Sequence, residues 1–446
     1  MKKTVTGASF ILVFLTASCL INATPAWAAT TTENTWTTKT SAPFAGRCEA
    51  AVVNGKIYVI SSDTSTASTY EYDPETDMWT PKKPMPTPRA FFALASCQNK
   101  IYVIGGINYS SPHTGATTKC PLNEVYDPET DTWETGEPMP TARSQIRAEA
   151  VNGKIYVISG RTGDQYTTVR TNEAYDPETD SWETKAGIPY HVASGGSTVL
   201  DDKIYVIGGQ NEFHDPMNPG FVQIYDPAID VWTQGTPHPS PAWLGEVVVA
   251  TTGLHAPKRI YVMGGSAGIG RATNASYVYD PELDVWTVGA SMPFPRQGFA
   301  LVAVDDVLYA IGGFNGWTTG YSDNQRYVPF GYGTIPLISS PENNGNYTSS
   351  SVPLTFELSV EALSLSYSLD GGVKVPLVGN TTLNGLADGE HVLTIYATDD
   401  KGNTSTLQTI SFKVDSIFTM ILVISTIVIV AVVCTALFVY FKKRKR

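Results

Sequence analysis

The stretch IYVIGG at Ile101–Gly106 decides the architecture, because close copies of it recur along the chain. A β-branched and aromatic run that ends in paired glycines is typical of a strand followed by a turn. The copies are spaced at roughly 50 residues, a period that indicates a repeat architecture. The other five are IYVISS at Ile57–Ser62, IYVISG at Ile155–Gly160, IYVIGG at Ile204–Gly209, IYVMGG at Ile260–Gly265 and LYAIGG at Leu308–Gly313.

A tyrosine and a tryptophan follow the strand in five of the six copies, always seven residues apart. Short aromatic strands between Gly, Pro and Asp turns predict small four-stranded sheets arranged around an axis. We therefore predict an all-β chain. The pairs are Tyr72/Trp79, Tyr126/Trp133, Tyr175/Trp182, Tyr225/Trp232 and Tyr279/Trp286.

These features together resemble the Kelch family, whose repeat has an apolar strand ending in Gly-Gly, then a tyrosine, then a tryptophan. The resemblance extends from about Thr35 to Gly333, and it implies a Kelch-type β-propeller. The departures are Ser61 and Ser62 in one copy and Ser159 in another, which are small residues in the positions of glycines. The resemblance predicts a propeller domain at residues 33–333.

The sixth copy has Tyr327 but no tryptophan after it. The segment Glu33–Thr37 contains Trp36 and looks like the outer strand of a repeat whose earlier strands are missing. We predict that this N-terminal strand completes the last sheet, because closure protects the edges that a ring would otherwise expose. The prediction is a propeller of six blades.

Residues 336–415 have a different pattern, with alternating apolar positions and a turn at Asp399–Asn403. The pattern predicts one small β-sandwich. The segment Leu386–His391 resembles immunoglobulin-like domains of bacterial surface proteins, and this resemblance implies an Ig-like spacer.

Both ends of the chain are apolar. Lys2 and Lys3 precede an apolar run, and the small residues around Trp27 predict a signal peptide at residues 1–28. Residues 417–440 contain no charge and would span about 36 Å as a helix, enough for a bilayer core of about 30 Å. The basic tail at 441–446 predicts a single-pass membrane protein with residues 29–415 outside the cell.

The net charge is −12, and the cations of the two termini partly mask a more acidic stretch between them. This charge disfavours a nucleic-acid partner. Three cysteines remain outside the terminal segments, so at most one internal disulfide can form. Cys97 with Cys120 is the candidate pair, and Cys48 is expected to be a buried thiol.

A meander places successive connections on alternate faces of a propeller. The long-loop face carries the variable loops after Gly-Gly and the Pro-rich loops before each first strand. The short-turn face carries two-residue turns and hairpins such as Asp73–Asp77. These acidic hairpins recur in nearly every repeat, which favours a structural role over calcium binding.

The long-loop face is the predicted binding site. Arginines open the first strands of four repeats, and Kelch propellers that bind acidic peptides use arginines at matching positions. The resemblance implies an anion-binding mouth, because guanidinium groups suit carboxylate, sulfate or phosphate. A purely structural role for these arginines is the alternative. The predicted ligand-binding residues are Arg47, Arg89, Arg143 and Arg296, with His191 and Trp243 in the other two repeats.

Aromatic side chains in the loops of the same face support binding, because they combine apolar surface with directional donors. Exposed aromatics beside arginines suit sugar rings or protein partners. They are Tyr109, His113, Tyr166, Phe213, His214, Phe221, Trp317 and Tyr321.

Enzymatic alternatives need residues that are hard to identify here. Copper oxidases of this architecture require a Tyr-His pair and a cross-linked cysteine, and only Tyr190–His191 offers the pair. Sialic-acid mutarotases require an arginine and a carboxylate over a sugar acid, and no sequence position identifies the carboxylate. We predict a non-enzymatic module without cofactor or metal.

The predicted function is membrane-tethered recognition of an extracellular protein or an acidic carbohydrate. A sugar-acid mutarotase and a structural component of the cell envelope are the alternatives. Sequons permit glycosylation at Asn108, Asn274, Asn346, Asn380 and Asn403.

Overall fold

The structure is a computed structural model. It describes residues 33–62, 67–109, 117–163, 167–210, 220–240, 247–266, 271–316, 319–332, 337–357, 364–398 and 404–415. Strands, turns and bridges account for the ordered structure of these ranges, and no helix occurs in them. The described part of the chain is therefore all-β, as the repeat predicts.

The repeats form antiparallel sheets of four strands. After β1 (Thr35–Lys39), sheet one contains β2 (Cys48–Val53), β3 (Lys56–Ser61), β4 (Thr69–Asp73) and β5 (Met78–Lys82). Sheet two contains β6 (Ala93–Cys97) and β7 (Lys100–Ile104), then a hairpin of β8 (Ile107–Tyr109) and β9 (Thr117–Lys119), then β10 (Asn123–Asp127) and β11 (Thr132–Gly136). Sheet three contains β12 (Arg147–Val151), β13 (Lys154–Ile158), β14 (Asn172–Asp176) and β15 (Ser181–Lys185).

The next three sheets repeat this order. Sheet four contains β16 (Gly196–Leu200), β17 (Lys203–Ile207), β18 (Val222–Asp226) and β19 (Val231–Gly235). Sheet five contains β20 (Val247–Ala250), β21 (Ile260–Met263), β22 (Ser276–Asp280) and β23 (Val285–Val288). Sheet six contains β24 (Ala300–Val304) and β25 (Val307–Ile311), a small hairpin of β26 (Phe314–Asn315) and β27 (Thr319–Gly320), and β28 (Asn324–Val328).

The outer strand of sheet six comes from the N-terminal end of the described chain. β1 pairs antiparallel with β28, and Trp36 lies opposite Tyr327 in the register. The two rings lie 4.9 Å apart. The tryptophan missing from the last repeat is thus supplied by Trp36.

The Tyr-to-Trp spacing has a structural cause. In sheet one, Tyr72 donates its hydroxyl hydrogen to Asp77 at 2.7 Å, and the same carboxylate oxygen accepts from the Thr40 N–H at 2.9 Å. The Trp79 indole donates to the Thr40 carbonyl at 2.9 Å. Thr40 follows β1, so this Tyr–Asp–Trp lock ties sheet one to the outer strand of sheet six. The acidic hairpin is structural here.

The same lock joins each later sheet to the one before it, and its members occupy equivalent places. In sheet six, Asn34 replaces the aspartate: it accepts from the Tyr327 hydroxyl at 2.8 Å and from the Ala290 N–H at 3.1 Å. The aspartates of the other locks are Asp131, Asp180, Asp230 and Asp284, each with a positive φ of 47–55°.

The remaining strands form two sheets after residue 336. They are β29 (Leu337–Ser340), β30 (Gly345–Tyr347), β31 (Ser351–Glu357), β32 (Ser364–Leu369), β33 (Val375–Leu377), β34 (Thr381–Asn384), β35 (Gly389–Thr398) and β36 (Thr404–Val414). The sheets have the orders β29-β31-β34 and β30-β36-β35-β32-β33. Leu354 from the first sheet and Leu393 and Phe412 from the second share one buried core, which makes this part a β-sandwich.

The sandwich contacts the short-turn face of the repeats. Thr409 on β36 donates to Glu282 at 3.0 Å, and Glu282 lies in the hairpin between β22 and β23. A cavity of about 530 Å³ between Lys258, Arg259 and Gln408 marks the same contact. The long-loop face takes no part in it.

The predicted disulfide and the predicted terminal segments have different outcomes. Cys48, Cys97 and Cys120 are all buried free thiols, so the candidate disulfide between Cys97 and Cys120 is not formed. The predicted signal peptide, membrane span and basic tail lie outside the described residues. Among the residues that are described, no helix is long and apolar enough to cross a membrane.

Candidate functional site

Three of the predicted ligand-binding arginines lie in the interior, which corrects the sequence prediction. Arg89, Arg143 and Arg296 are each 0% exposed. They lie four residues before the first strand of sheets two, three and six. Each guanidinium donates to a backbone carbonyl of the Gly-Gly turn or its equivalent in the same sheet. Burial removes them from any ligand that approaches the mouth.

Arg89 shows what holds this position. Its Nε donates to the Gly105 carbonyl at 2.8 Å and its Nη2 to the Val103 carbonyl at 2.8 Å. Its Nη1 forms a buried ion pair with Glu124. The guanidinium therefore joins the strand end, the glycine turn and β10 of one sheet.

Arg143 repeats this arrangement in sheet three. Its Nη2 lies 2.7 Å from Glu173, and its Nη1 donates to the Ser159 carbonyl at 2.6 Å. Burial lowers the pKa of Arg143, and the Glu173 carboxylate opposes that shift. A buried ion pair of this kind supports the structural alternative for these arginines.

Arg47 differs from them, because it directly precedes its strand, β2. Its guanidinium lies over the Phe91 ring, with 4.6 Å from Cζ to the ring centroid. Gly298 has φ +62°, and a Cβ there would lie 3.2 Å from the Arg47 guanidinium carbon. The glycine thus leaves the space that Arg47 occupies, and Arg47 lines a cavity on the long-loop face.

Of the other two predicted residues, only His191 is described by the structure. The His191 imidazole Nδ1 forms a hydrogen bond with the Thr168 hydroxyl, and His191 does not line the cavity. Its neighbour Tyr190 stacks on Phe221 at 3.9 Å between ring centroids. Trp243 lies outside the described residues.

A cavity of about 370 Å³, which we name the mouth cavity, opens on the long-loop face. Sequence reasoning missed most of its polar residues, including Glu49, Arg147 and Arg161. Its walls combine these charges with aromatic and amide side chains. The lining residues include Arg47, Glu49, Phe91, Gln145, Arg147, Arg161, Ser194, Gln210, Gln297 and Phe314.

Arg147 and Glu49 face each other across the base of the mouth cavity. Their charged groups are 4.0 Å apart, and both side chains keep about a quarter of their surface exposed, 22% and 27%. Arg147 also donates from Nε to the Gly195 carbonyl. Burial raises the pKa of Glu49, while the charges of Arg147 and Arg47 lower it.

Arg161 forms the wall of the mouth cavity beside sheet three. Its backbone pairs with Ser144, and its Nη2 donates to the Gln210 amide oxygen at 3.0 Å. Arg161 follows directly after Gly160, at the start of the loop that leaves β13. Among the described residues that line it, the mouth cavity therefore has three arginines and one carboxylate.

A second cavity of about 350 Å³ continues along the axis, and first strands of all six sheets line it. Glu49 and Arg147 line both cavities, so this pair lies where they meet. Below it, the Glu149 carboxylate accepts from the Ser197 hydroxyl at 2.6 Å. Burial raises the pKa of Glu149 to about 7, against the lowering effects of Ser197 and Arg147.

This arrangement suits recognition of an anion. Guanidinium groups bind carboxylates through paired N–H donors, and the Phe91 and Phe314 rings add apolar surface. Among the described residues there is no group of three His, Cys, Asp or Glu side chains that could hold a metal ion.

A sequence signal for Arg147 and Arg161 does exist. Arginine recurs at the positions of Arg89, Arg143 and Arg296, and what recurs in a repeat usually maintains its fold. Arg147 and Arg161 each occupy a position where the other repeats have no arginine. At the position of Arg147, for example, sheets two and six have Ala93 and Ala300. An arginine that departs from the repeat was the better candidate.

Comparisons with known proteins agree with the fold and the repeat. The Kelch motif matches residues 88–140, 142–187, 192–239, 255–293 and 295–329. The human Kelch repeat and BTB domain-containing protein 12 is 33% identical over 147 residues, which cover 29% of this chain and 24% of that protein. Kelch-like protein 15 of Danio rerio is 31% identical over 130 residues, covering 25% of this chain and 22% of that protein.

The chain thus matches about a quarter of the length of these relatives. The solved structure described as "Structure of YjhT" has a TM-score of 0.56 and 18% identity, covering 64% of this chain and 95% of that one. At this identity the likeness concerns the fold alone. The repeated strand, the Tyr–Asp–Trp lock and the five matched motifs lead to one conclusion: the chain belongs to the Kelch-repeat family.

Proposed function

We propose that this protein is a recognition module that binds an acidic segment of a partner protein in the mouth cavity. The observation that carries the proposal is the grouping of Arg47, Arg147 and Arg161 around one opening of about 370 Å³. This grouping stands out because the chain as a whole has a net charge of −12.

Arg147 differs from the interior arginines in the distance to its carboxylate. Arg89 and Arg143 each form a buried ion pair with a glutamate. Among the described residues, the carboxylate near Arg147 is that of Glu49, at 4.0 Å, and both residues line the cavity. A carboxylate from a ligand would add negative charge beside Arg147.

The size of the cavity limits what can enter it. A volume of about 370 Å³ lies at the lower end of the usual range of small-molecule sites, about 300–1,000 Å³. One acidic side chain with its neighbours, or one sugar acid, fits this space. The Gln145 and Ser194 side chains line the wall and offer neutral hydrogen bonds beside the charges.

We also propose that the module is exported and held at a membrane. Support comes from the apolar segments at both ends of the chain and from the sandwich, which contacts the short-turn face through Thr409. An anchor after residue 415 would then leave the mouth cavity open to the surroundings. Glycosylation at the five sequons belongs to the same proposal.

The test is binding of acidic peptides to the full-length chain in detergent micelles, with an array of acidic glycans beside them. We expect an acidic peptide to bind, and Arg47→Ala with Arg147→Ala to weaken it by about 2–5 kcal/mol. The matched control is Arg170→Ala, because Arg170 is exposed and does not line the cavity.

Equal binding by the double variant and the control would contradict the proposed site. Binding of glycans alone would show that the ligand is a carbohydrate and not a protein. Binding of neither would favour a structural component of the cell envelope.

A second candidate function is acid–base chemistry on a bound sugar acid, as in the mutarotase alternative. The pair of Glu49 and Arg147 favours it, because a carboxylate with a raised pKa lies beside an arginine in the cavity. Anomer exchange measured by NMR on the full chain would detect this activity. Loss of the exchange in Glu49→Gln, with peptide binding unchanged, would separate the two functions.

A further inference from the structure

Sheets two and three each bury an arginine with a glutamate at equivalent places. The arginine lies four residues before the first strand, and the glutamate lies opposite Val103 or Val157 in the register of the next strands. Each glutamate also accepts from a threonine two residues before the arginine, at 2.7 Å. Three residues thus make one unit: Thr, Arg and Glu.

Other sheets drop the arginine and the glutamate together. Sheet one has Ala45 and Tyr70 at these places, and sheet four has Val192 and Gln223. A buried charge is costly without its partner, so the joint loss is the expected outcome. Sheet six breaks the rule, because it keeps Arg296 but has Gln325 in place of the glutamate.

Arg296 is 0% exposed and lacks an ion pair with any described residue. Its Nη1 donates to the Ala310 and Gly312 carbonyls, both at 3.3 Å. Its Nε and Nη2 have no hydrogen-bond partner among the described residues. Gln325 does not help, since its amide pairs with the Thr38 hydroxyl.

Aromatic rings surround the Arg296 guanidinium. Its Cζ lies 4.5 Å from the Phe294 ring centroid, 5.6 Å from Tyr321 and 5.8 Å from Phe299. Phe294 replaces the threonine of the unit, so the polar pair of Thr and Glu has become Phe and Gln. Rings stabilise a cation through their faces, but they do not accept the N–H groups at the edge of the guanidinium plane.

The charge persists at neutral pH. Burial lowers the pKa of Arg296 to about 10, and the charges of Asp323 and Tyr321 oppose that shift. A buried, protonated guanidinium with two nitrogens that lack an acceptor among the described residues destabilises the fold. An anion that accepts from those two nitrogens would offset this cost.

We infer that a small monovalent inorganic anion of chloride size binds Arg296 at Nε and Nη2, and that it supplies the negative charge that Glu124 and Glu173 supply in sheets two and three. Nε and Nη2 lie on one edge of the guanidinium and donate in parallel, which is the arrangement that anions bind. A single charge balances a single arginine. A sulfate or phosphate dianion would bring a second charge into a wall of aromatic rings.

Arg296 does not itself line the mouth cavity, although Phe299 borders both the cavity and the Arg296 guanidinium. The inference therefore does not depend on the proposed function. Arg47 and Arg147 variants test the mouth, whereas Gln325 tests the anion site.

The first experiment is thermal unfolding of the full chain in sodium chloride and in sodium gluconate at equal ionic strength. Above the dissociation constant, each tenfold rise in chloride should raise Tm by about 3 °C, while the bulky gluconate should have no such effect. Gln325→Glu supplies the missing carboxylate and should make Tm independent of the anion. The same chloride dependence in Gln325→Glu as in the parent protein would overturn the inference.

Sheet three provides the matched control. Glu173→Gln creates the same unpaired arginine at Arg143, and it should unfold at lower temperature and show increased chloride dependence. A direct readout is the anomalous signal of bromide in crystals of the unaltered chain. A bromide peak beside Nε and Nη2 of Arg296 would support the site, and its absence at saturating bromide would refute it whether or not the variants fold.

Discussion

The arginines of this protein have two roles that chemistry alone does not separate. Arg143 is buried and donates to carbonyls and Glu173, so its charge maintains one sheet. Arg147, at the start of β12, lines the mouth cavity and keeps part of its surface exposed. Four residues of sequence separate a structural charge from a candidate binding charge.

Replacing these two arginines should give different outcomes. Arg143→Met leaves Glu173 buried without a partner, and we expect a loss of about 3–5 kcal/mol in the free energy of unfolding. Arg147→Met should cost less than about 1 kcal/mol, since its partner at 4.0 Å is partly solvated. Chemical denaturation of both variants measures the difference, and equal losses would contradict the division into two groups.

Glu149 should make stability depend on pH near neutrality. Its folded-state pKa of about 7 lies above the value of an unfolded glutamate, so the folded state binds more protons between those two values. Stability should therefore fall as pH rises from about 4.5 to 7. Glu149→Gln should remove this slope and stabilise the protein by about 1–3 kcal/mol at pH 8. Unfolding measured at pH 5 and pH 8 checks it, and an unchanged slope would contradict the assignment.

At the scale of strands and turns, the Tyr–Asp–Trp lock explains why the repeat keeps its spacing. The aspartate has a positive φ, accepts from its own tyrosine and accepts from the backbone of the previous sheet. Tyrosine and tryptophan lie opposite each other in the register, as Tyr175 and Trp182 do. One hairpin therefore both ends a sheet and joins it to its neighbour.

These locks should weaken in acid. Hydrogen bonds from the Glu137 N–H and the Tyr175 hydroxyl lower the pKa of Asp180. A lowered folded-state pKa means that the stabilisation is present above the unfolded value, near 3.9, and is lost as pH falls through the folded value. Asp180→Asn should make the free energy of unfolding less dependent on pH in acid, because Asn34 performs the same role in sheet six without titrating. An equally strong acid dependence in the variant would show that titration of Asp180 does not affect the lock.

The strand β1 should be required for cooperative folding of the repeats. A chain that begins at Pro43 lacks Trp36 and leaves the edge of β28 unpaired, so we expect aggregation or a broad unfolding transition.

The point variant Trp36→Ala should lower stability by about 2–4 kcal/mol, since it loses the ring contact with Tyr327 and the bond to the Ala290 carbonyl. Thr37→Ala, on an exposed side chain, is the control. Unchanged melting without β1 would contradict closure by this strand.

At the scale of the molecule, the two faces of the repeat array have different environments. The sandwich contacts the short-turn face at Glu282, while the mouth cavity opens among the loops of the other face. The last described residue, Asp415, follows the strand that makes this contact. The predicted membrane segment would then begin on the side away from the mouth cavity.

This arrangement predicts which surfaces an antibody can reach on intact cells. An epitope tag inserted directly after β8, a strand of the long-loop face, should be accessible. A tag in the hairpin at Asp280–Asp284 lies beside the contact with Thr409 and should be less accessible. Flow cytometry measures both tags, with total protein from permeabilised cells as the control. The opposite order of accessibility would contradict the proposed orientation.

The repeat, the strand boundaries and the N-terminal closing strand follow from the sequence by itself. Trp36 was recognisable because each earlier repeat has a tryptophan at a constant distance from its tyrosine, and the last repeat has Tyr327 without one. Strand pairing within one repeat depends on short separations along the chain, so a linear pattern contains it, whereas the distant pairing of β1 with β28 was inferred from the tryptophan missing in the last repeat.

The binding residues were decided only by tertiary structure. In the sequence, Arg147 differs from Arg89 only in departing from the repeat, whereas the structure pairs Arg89 with the buried Glu124 and places Arg147 at an open cavity. Whether an arginine is buried depends on its partner, and that partner is 35 residues away in the case of Arg89 and Glu124. The same holds for Arg296, whose unpaired edges become evident only when Gln325 is seen where a glutamate would be. The physical reason is that burial and charge pairing are properties of the assembled sheets, whereas spacing is a property of the chain.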